Sequence, residues 1–145
     1  MSALPAIRPS RRPTALPHLA GLALAGQERL YGVRASVWVP LTRGALPQRI
    51  TLAAIWHLTV EDAIGSEQTV AGCLQIRALE ADQDVEPSRI AQELAPTHVI
   101  TFRRQRLVTV EAASPLAIEL VSRLARALTG TPAAPHDTIR IALSA

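Results

Sequence analysis

An α+β domain, in which a mainly antiparallel sheet packs against one long amphipathic helix, is the fold class that this sequence predicts. Three observations carry that expectation. Apolar and polar residues alternate over several successive runs, and the connections between the first three runs are too short for a crossover helix, so those strands should pair as an antiparallel meander. The segment Thr97 to Gly130 reads as two β-rich runs about a charged turn and then changes to a repeat of 3.6. The 145 residues suffice for one domain with its own core, which at that size buries roughly 68% of the unfolded surface. The expected order is βββ-α-ββ-α-β, with residues 33–145 as a single domain behind an extended N-terminal arm and linker, 1–32.

Pro5, Pro9, Pro13 and Pro17 recur every four residues, with Arg8, Arg11 and Arg12 between them. Proline fixes φ and lacks an N–H, so this stretch should be a polyproline-like arm outside the core. His18 to Tyr31 holds Gly21 and Gly26 within a weak helical spacing and reads as a loop with one or two helical turns at most. In the first strand Val33, Ala35, Val37, Val39 and Leu41 alternate with Arg34, Ser36, Trp38 and Pro40, and Pro40 marks an end or an edge.

The second strand is the most regular. Ile50, Leu52, Ala54, Trp56, Leu58 and Val60 point one way, and Arg49, Thr51, Ala53, Ile55, His57 and Thr59 the other, which suits a sheet centre or a ribbon projecting beyond it. The third sets Val70, Leu74, Ile76 and Ala78 against Ala71, Cys73, Gln75 and Arg77, with Cys73 expected to be a small buried residue. A short helix, Pro87 to Ala95, places Ile90, Ala91 and Leu94 together and stops at Pro96. Val99–Phe102 and Leu107–Val110 then flank the turn Arg103-Arg104-Gln105-Arg106. Ser114 can cap and Pro115 can open the long helix, whose Ala117, Leu120, Val121, Leu124 and Leu128 share one face. Glu119 and Arg123 stand i,i+4 opposite, Gly130 and Pro132 supply the stop, and Ile139, Ile141 and Leu143 alternate about Arg140 in a last strand.

All fifteen basic residues are Arg, and charge is segregated: +6 over residues 1–49, −6 over 50–96 and +3 over 97–145. Opposite-sign segments can satisfy one another within the fold or between copies of it. One cysteine excludes an internal disulfide framework and a cysteine-based zinc site. No apolar run approaches the roughly 18 residues that span a bilayer, and the patch Leu19 to Ala25, broken by Gly21, is unlike a secretory signal. The expected location is the cytoplasm or the inside of an assembled particle such as a virion, with no membrane partner.

No motif for nucleophilic, phosphate-binding or dinucleotide chemistry occurs, and His18, His57, His98 and His136 are scattered. His57 with Asp62, or His98 with Glu111, would have to meet in space to build a site. Asp82, Asp84, Glu86 and Glu93 fall at positions one, three, five and twelve of a calcium loop, but position six is Pro87 where that loop needs Gly. The bland reading is a solvated acidic loop ahead of a helix N-terminus. No cofactor or metal is expected.

Two clusters remain as partner surfaces. Arg103, Arg104 and Arg106, with Arg77 as a neighbour in the sheet, could contact phosphate, although Tyr31, Trp38, Trp56 and Phe102 are too few aromatics for a base-stacking platform. Glu80, Asp82, Asp84 and Glu86 offer an acidic surface to the basic arm or hairpin of a neighbouring copy. The expectation is therefore a non-enzymatic structural or interaction subunit of a larger, homo-oligomeric assembly, with a capsid-decorating, neck or tail protein as the architectural analogy. The alternative is a nucleic-acid-binding module using Arg8, Arg11, Arg12, Arg103, Arg104 and Arg106. On the first reading, deleting residues 1–17 should leave the fold intact and weaken oligomerisation.

Overall fold

A computed structural model of the protein describes residues 24–82 and 85–144. The Pro/Arg arm, with Arg8, Arg11 and Arg12, lies outside the described residues, as does Asp84. The described chain runs β1 (Glu28–Pro40), β2 (Pro47–Ile64), β3 (Glu67–Ala81), α1 (Pro87–Leu94), β4 (His98–Arg103), β5 (Arg106–Glu111), α2 (Pro115–Leu128) and β6 (Thr138–Leu143). The six strands form one antiparallel sheet in the order β5-β4-β3-β2-β1-β6.

The strands extend further than alternation alone marks them. β1 takes in Glu28–Gly32, assigned above to the linker, because Tyr31 continues the buried phase of Val33 and pairs with Trp56. β2 and β3 are 18 and 15 residues long, and they turn at Gly65, whose φ of +60° suits a residue without Cβ. β3 also carries a bulge. Ala53 pairs with Ala78 and Ala54 with Ile76, so Arg77 is the extra residue. Ala78, expected beside Ile76, thereby moves to the other face, and Leu79 turns toward the core.

Two helices cover the sheet, where one long helix was expected to do so. α2 follows its cues: Ser114 Oγ accepts from the Ala117 N–H at 3.1 Å, Pro115 opens it, and Gly130 follows it at φ +85°. Its buried face, including Leu116, Leu120, Leu124 and Leu128, packs on Val33, Val37, Trp56 and the rest of the inner sheet surface. Each such Leu contributes about 2 kcal/mol by leaving water. α1 joins the same layer because Ile90 and Leu94, one turn apart, are both buried. Its N-cap, Glu86, makes no side-chain capping bond.

Candidate interaction surface

With both helices on one side, the opposite face of the sheet has no helical cover among the described residues. Alternation dictates what it displays. β1 contributes Leu30, Gly32, Arg34, Ser36 and Trp38, β2 contributes Thr51, Ala53, Ile55 and His57, and β6 contributes Thr138, Arg140 and Ala142. Trp38 and Leu30 remain 41% and 43% exposed at either end of β1. Cys73, expected to be buried, is exposed on this face opposite His57: periodicity separates two faces without saying which one the helices will cover.

Arg34 and Arg140 stand directly opposite each other on β1 and β6. Like charges so placed repel, and neither arginine has a carboxylate within ion-pair distance among the described residues. They flank a shallow trough of about 380 Å³ floored by Ala53 and Ala78 and edged by Ser36, Thr51 and Glu80. On its other side a second trough, of about 390 Å³, brings in Arg77 with Gly32 and Ile55. Small residues on the floor leave the arginines proud of the surface. Neither Arg34 nor Arg140 was picked out from sequence as a functional residue, since their meeting depends on a pairing between the two ends of the domain.

The expected clusters come apart. Arg103 is matched by Glu67, 2.9 Å away on the next strand, whereas Arg104 and Arg106 are exposed at the hairpin tip. Arg77 does not neighbour them. Arg103 pairs at Glu67, ten residues along β3 from Arg77 and about 33 Å distant at strand rise. Glu80 and Asp82 stay together at the far end of β3 beside Arg49, and Glu86 lies beyond them at the start of α1.

The histidine pairs do not form either. His57 Nε2 lies 2.6 Å from Glu28 Oε1, not beside Asp62, in an exposed contact. His98 points into the core, 2% exposed, and accepts a hydrogen bond at Nε2 from Trp56 Nε1–H at 3.0 Å, not from any group on Glu111. The indole can only donate, so this imidazole nitrogen must be the unprotonated one. Burial lowers the His98 pKa to about 4, which keeps it neutral. Gly72 on the adjacent strand makes the room: a Cβ there would run into His98 Nε2. His98 is thus a satisfied core residue. Among the described residues no group of three or more His, Cys, Asp or Glu side chains is placed to hold a metal ion.

The polar group with the most contacts sits at the sheet's end. Arg123 Nη1 donates to Asp137 Oδ2 and to the Trp38 carbonyl, both at 2.7 Å, and Asp137 Oδ1 accepts the Trp38 N–H at 3.1 Å. Glu119 completes it, accepting from Arg123 Nε at 3.1 Å. This cluster joins α2 to β1 and to the loop that delivers β6, and leaves no free acid or base for chemistry. Comparison with protein-family models, with curated proteins and with solved structures finds no match.

Proposed function

We propose that the chain is a non-enzymatic subunit of a larger homo-oligomeric assembly. The observation that carries this reading is the uncovered sheet face, where Arg34 and Arg140, without an ion-pair partner among the described residues, stand near half-buried Ala53 and Ile55, with exposed Leu30 and Trp38 toward the two ends of β1. Such a surface is suited to press against another protein: aromatic and aliphatic side chains amid Arg are the composition of an association patch. The titratable groups support it by where they go. His98 is spent in the core, Arg123 and Asp137 satisfy each other, and the exposed contacts His57–Glu28 and Arg103–Glu67 are separate surface pairs, unlike the converging groups of an active site. A particle component such as a decorating, neck or tail subunit is the architecture to which this arrangement is closest in kind.

The nucleic-acid reading is weaker because the basic groups are divided. A phosphate backbone is tracked by a continuous stripe, whereas the hairpin tip lies beside Glu67 at one end of β3 and the Arg34–Arg140 pair, on β1 and β6, stands level with Ala78 near its other end. Light scattering on the full chain separates the two. A discrete multimer with a protein-like absorbance ratio, insensitive to salt, is the expected result. A monomer at tens of micromolar would overturn the assembly reading, and bound nucleic acid that leaves steeply as salt rises would favour the alternative.

A further inference from the structure

Among the unpaired strand stretches of the described residues, two stand at the same height. β4 pairs with β3 only from Glu67 to Gly72, leaving the outer edge of β3 from Leu74 to Ala81 without a neighbouring strand among the described residues. At the other side β6 pairs with β1 from Thr138 to Leu143, and among the described residues its outer edge likewise has no neighbouring strand. Reading straight across the sheet, Leu143 aligns through Tyr31 and Trp56 with Leu74, and Thr138 aligns through Ser36 and Thr51 with Glu80. The six residues of β6 therefore span the stretch of β3 that β4 leaves vacant. Directions also agree, since β6 runs opposite to β1, β1 opposite to β2 and β2 opposite to β3, making β6 antiparallel to β3.

We propose that β6 of one copy adds, antiparallel, to the free half of β3 of the next copy, continuing the sheet head to tail. The proposal rests on the assembly reading and specifies its contact. A head-to-tail joint of this kind uses two different edges, so it closes into a ring where the rotation permits. Main-chain groups are available on both sides. The Ser144 N–H donates to Leu30 O, so alternation turns Thr138, Arg140 and Ala142 toward β1 and the N–H and C=O of Ile139, Ile141 and Leu143 outward. The Asp82 N–H donates to Arg49 O, so Ala78 and Glu80 face β2 while Leu79 and Ala81 face out.

Side chains match as well. Ile139 and Ile141 are on the core side of β6, level with Ile76 and Leu79 on the core side of β3, all four only partly buried in the single chain. On the open side Arg140 stands level with Ala78, one diagonal step from Glu80, and opposite charges at that spacing attract across strands. The joint gives the unpaired Arg34–Arg140 group its carboxylate. Ile90 and Leu94 of α1 are buried in the helical layer.

Ile141→Pro tests this in the full chain. Its N–H points away from β1, so proline there spares the internal ladder and removes only the outward donor. The expected result is a monomer by light scattering with an unchanged far-ultraviolet circular dichroism spectrum. A multimer of unchanged size with the same spectrum would overturn the joint while leaving the assembly reading in place; a monomeric parent chain would overturn both. Charge reversal covers the case in which Ile141→Pro does not fold. Arg140→Glu should weaken association several-fold, and adding Glu80→Arg to it should restore the parent multimer; equal weakening in the double variant would refute the pairing.

Discussion

Arg123 and Asp137 meet at 2.7 Å, with the Asp137 side chain only 2% exposed. The carboxylate uses one oxygen on the guanidinium and the other on the Trp38 N–H, while the same guanidinium holds the Trp38 carbonyl. A residue of α2 and a residue of the loop before β6 thereby grip both main-chain groups of one β1 residue. The consequence is positional: the last strand, which bears Arg140, is fixed at its entry to the sheet edge.

Removing one partner of this pair is expected to cost more than removing both. Arg123→Ala leaves a buried carboxylate without its cation and should lower the unfolding free energy by about 3–5 kcal/mol. The double variant Arg123→Ala, Asp137→Ala should lose less than the sum of the single losses. Urea unfolding of the four proteins checks it, and strict additivity would mean that the contact is not coupled in solution.

Gly72→Ala should be among the most damaging single-methyl changes in the sheet. The new Cβ would meet His98 Nε2 and lie 3.0 Å from Leu58 Cδ2, so the imidazole must leave the position in which it accepts from Trp56. Overpacking of this kind costs about 1–3 kcal/mol. Placed in a His98→Ala background, the same Gly72→Ala should cost much less. Equal penalties in both backgrounds would show that the imidazole is not what the methyl displaces.

His98 also sets an acid limit on stability. Its pKa is about 4 when folded against about 6.5 in an unfolded chain, so between those values the unfolded state binds the extra proton. Stability from this group is fully present above about pH 6.5 and falls as pH drops toward 4, by on the order of 3 kcal/mol in total. In His98→Gln the slope over that window should flatten, measured as unfolding free energy from pH 4 to 7. An unchanged slope would assign the acid sensitivity to other groups.

Much of this fold could be read from local pattern. Ser114, Pro115 and Gly130 bracket α2, and period-two runs locate β1 to β3, because caps and alternation act within a few residues. What stayed illegible was whatever depends on the other side of a strand. Cys73 alternates cleanly yet faces the uncovered side, and Ala78 changes face because one residue, Arg77, is inserted as a bulge. The candidate surface suffered most. Arg34 and Arg140 lie at opposite ends of the domain sequence, and only the β1–β6 register sets them against each other, whereas the adjacent Arg103, Arg104 and Arg106 were conspicuous and are in part neutralised by Glu67.

The β4–β5 turn offers a test in the stabilising direction. Arg104 and Gln105 have φ of 52° and 63°, the paired left-handed conformation of a type I′ turn that Asn-Gly adopts with little strain. Their Cβ atoms make each position cost about 1–2 kcal/mol relative to a residue suited to it. Arg104→Asn with Gln105→Gly should therefore raise the melting temperature by several degrees at fixed protein concentration, a chain of this size gaining about 2–4 °C per kcal/mol. Arg104→Gln, which removes the charge but keeps a residue poorly suited to positive φ, serves as the control. Equal gains in both would trace the effect to relieved repulsion among Arg103, Arg104 and Arg106 and not to backbone strain.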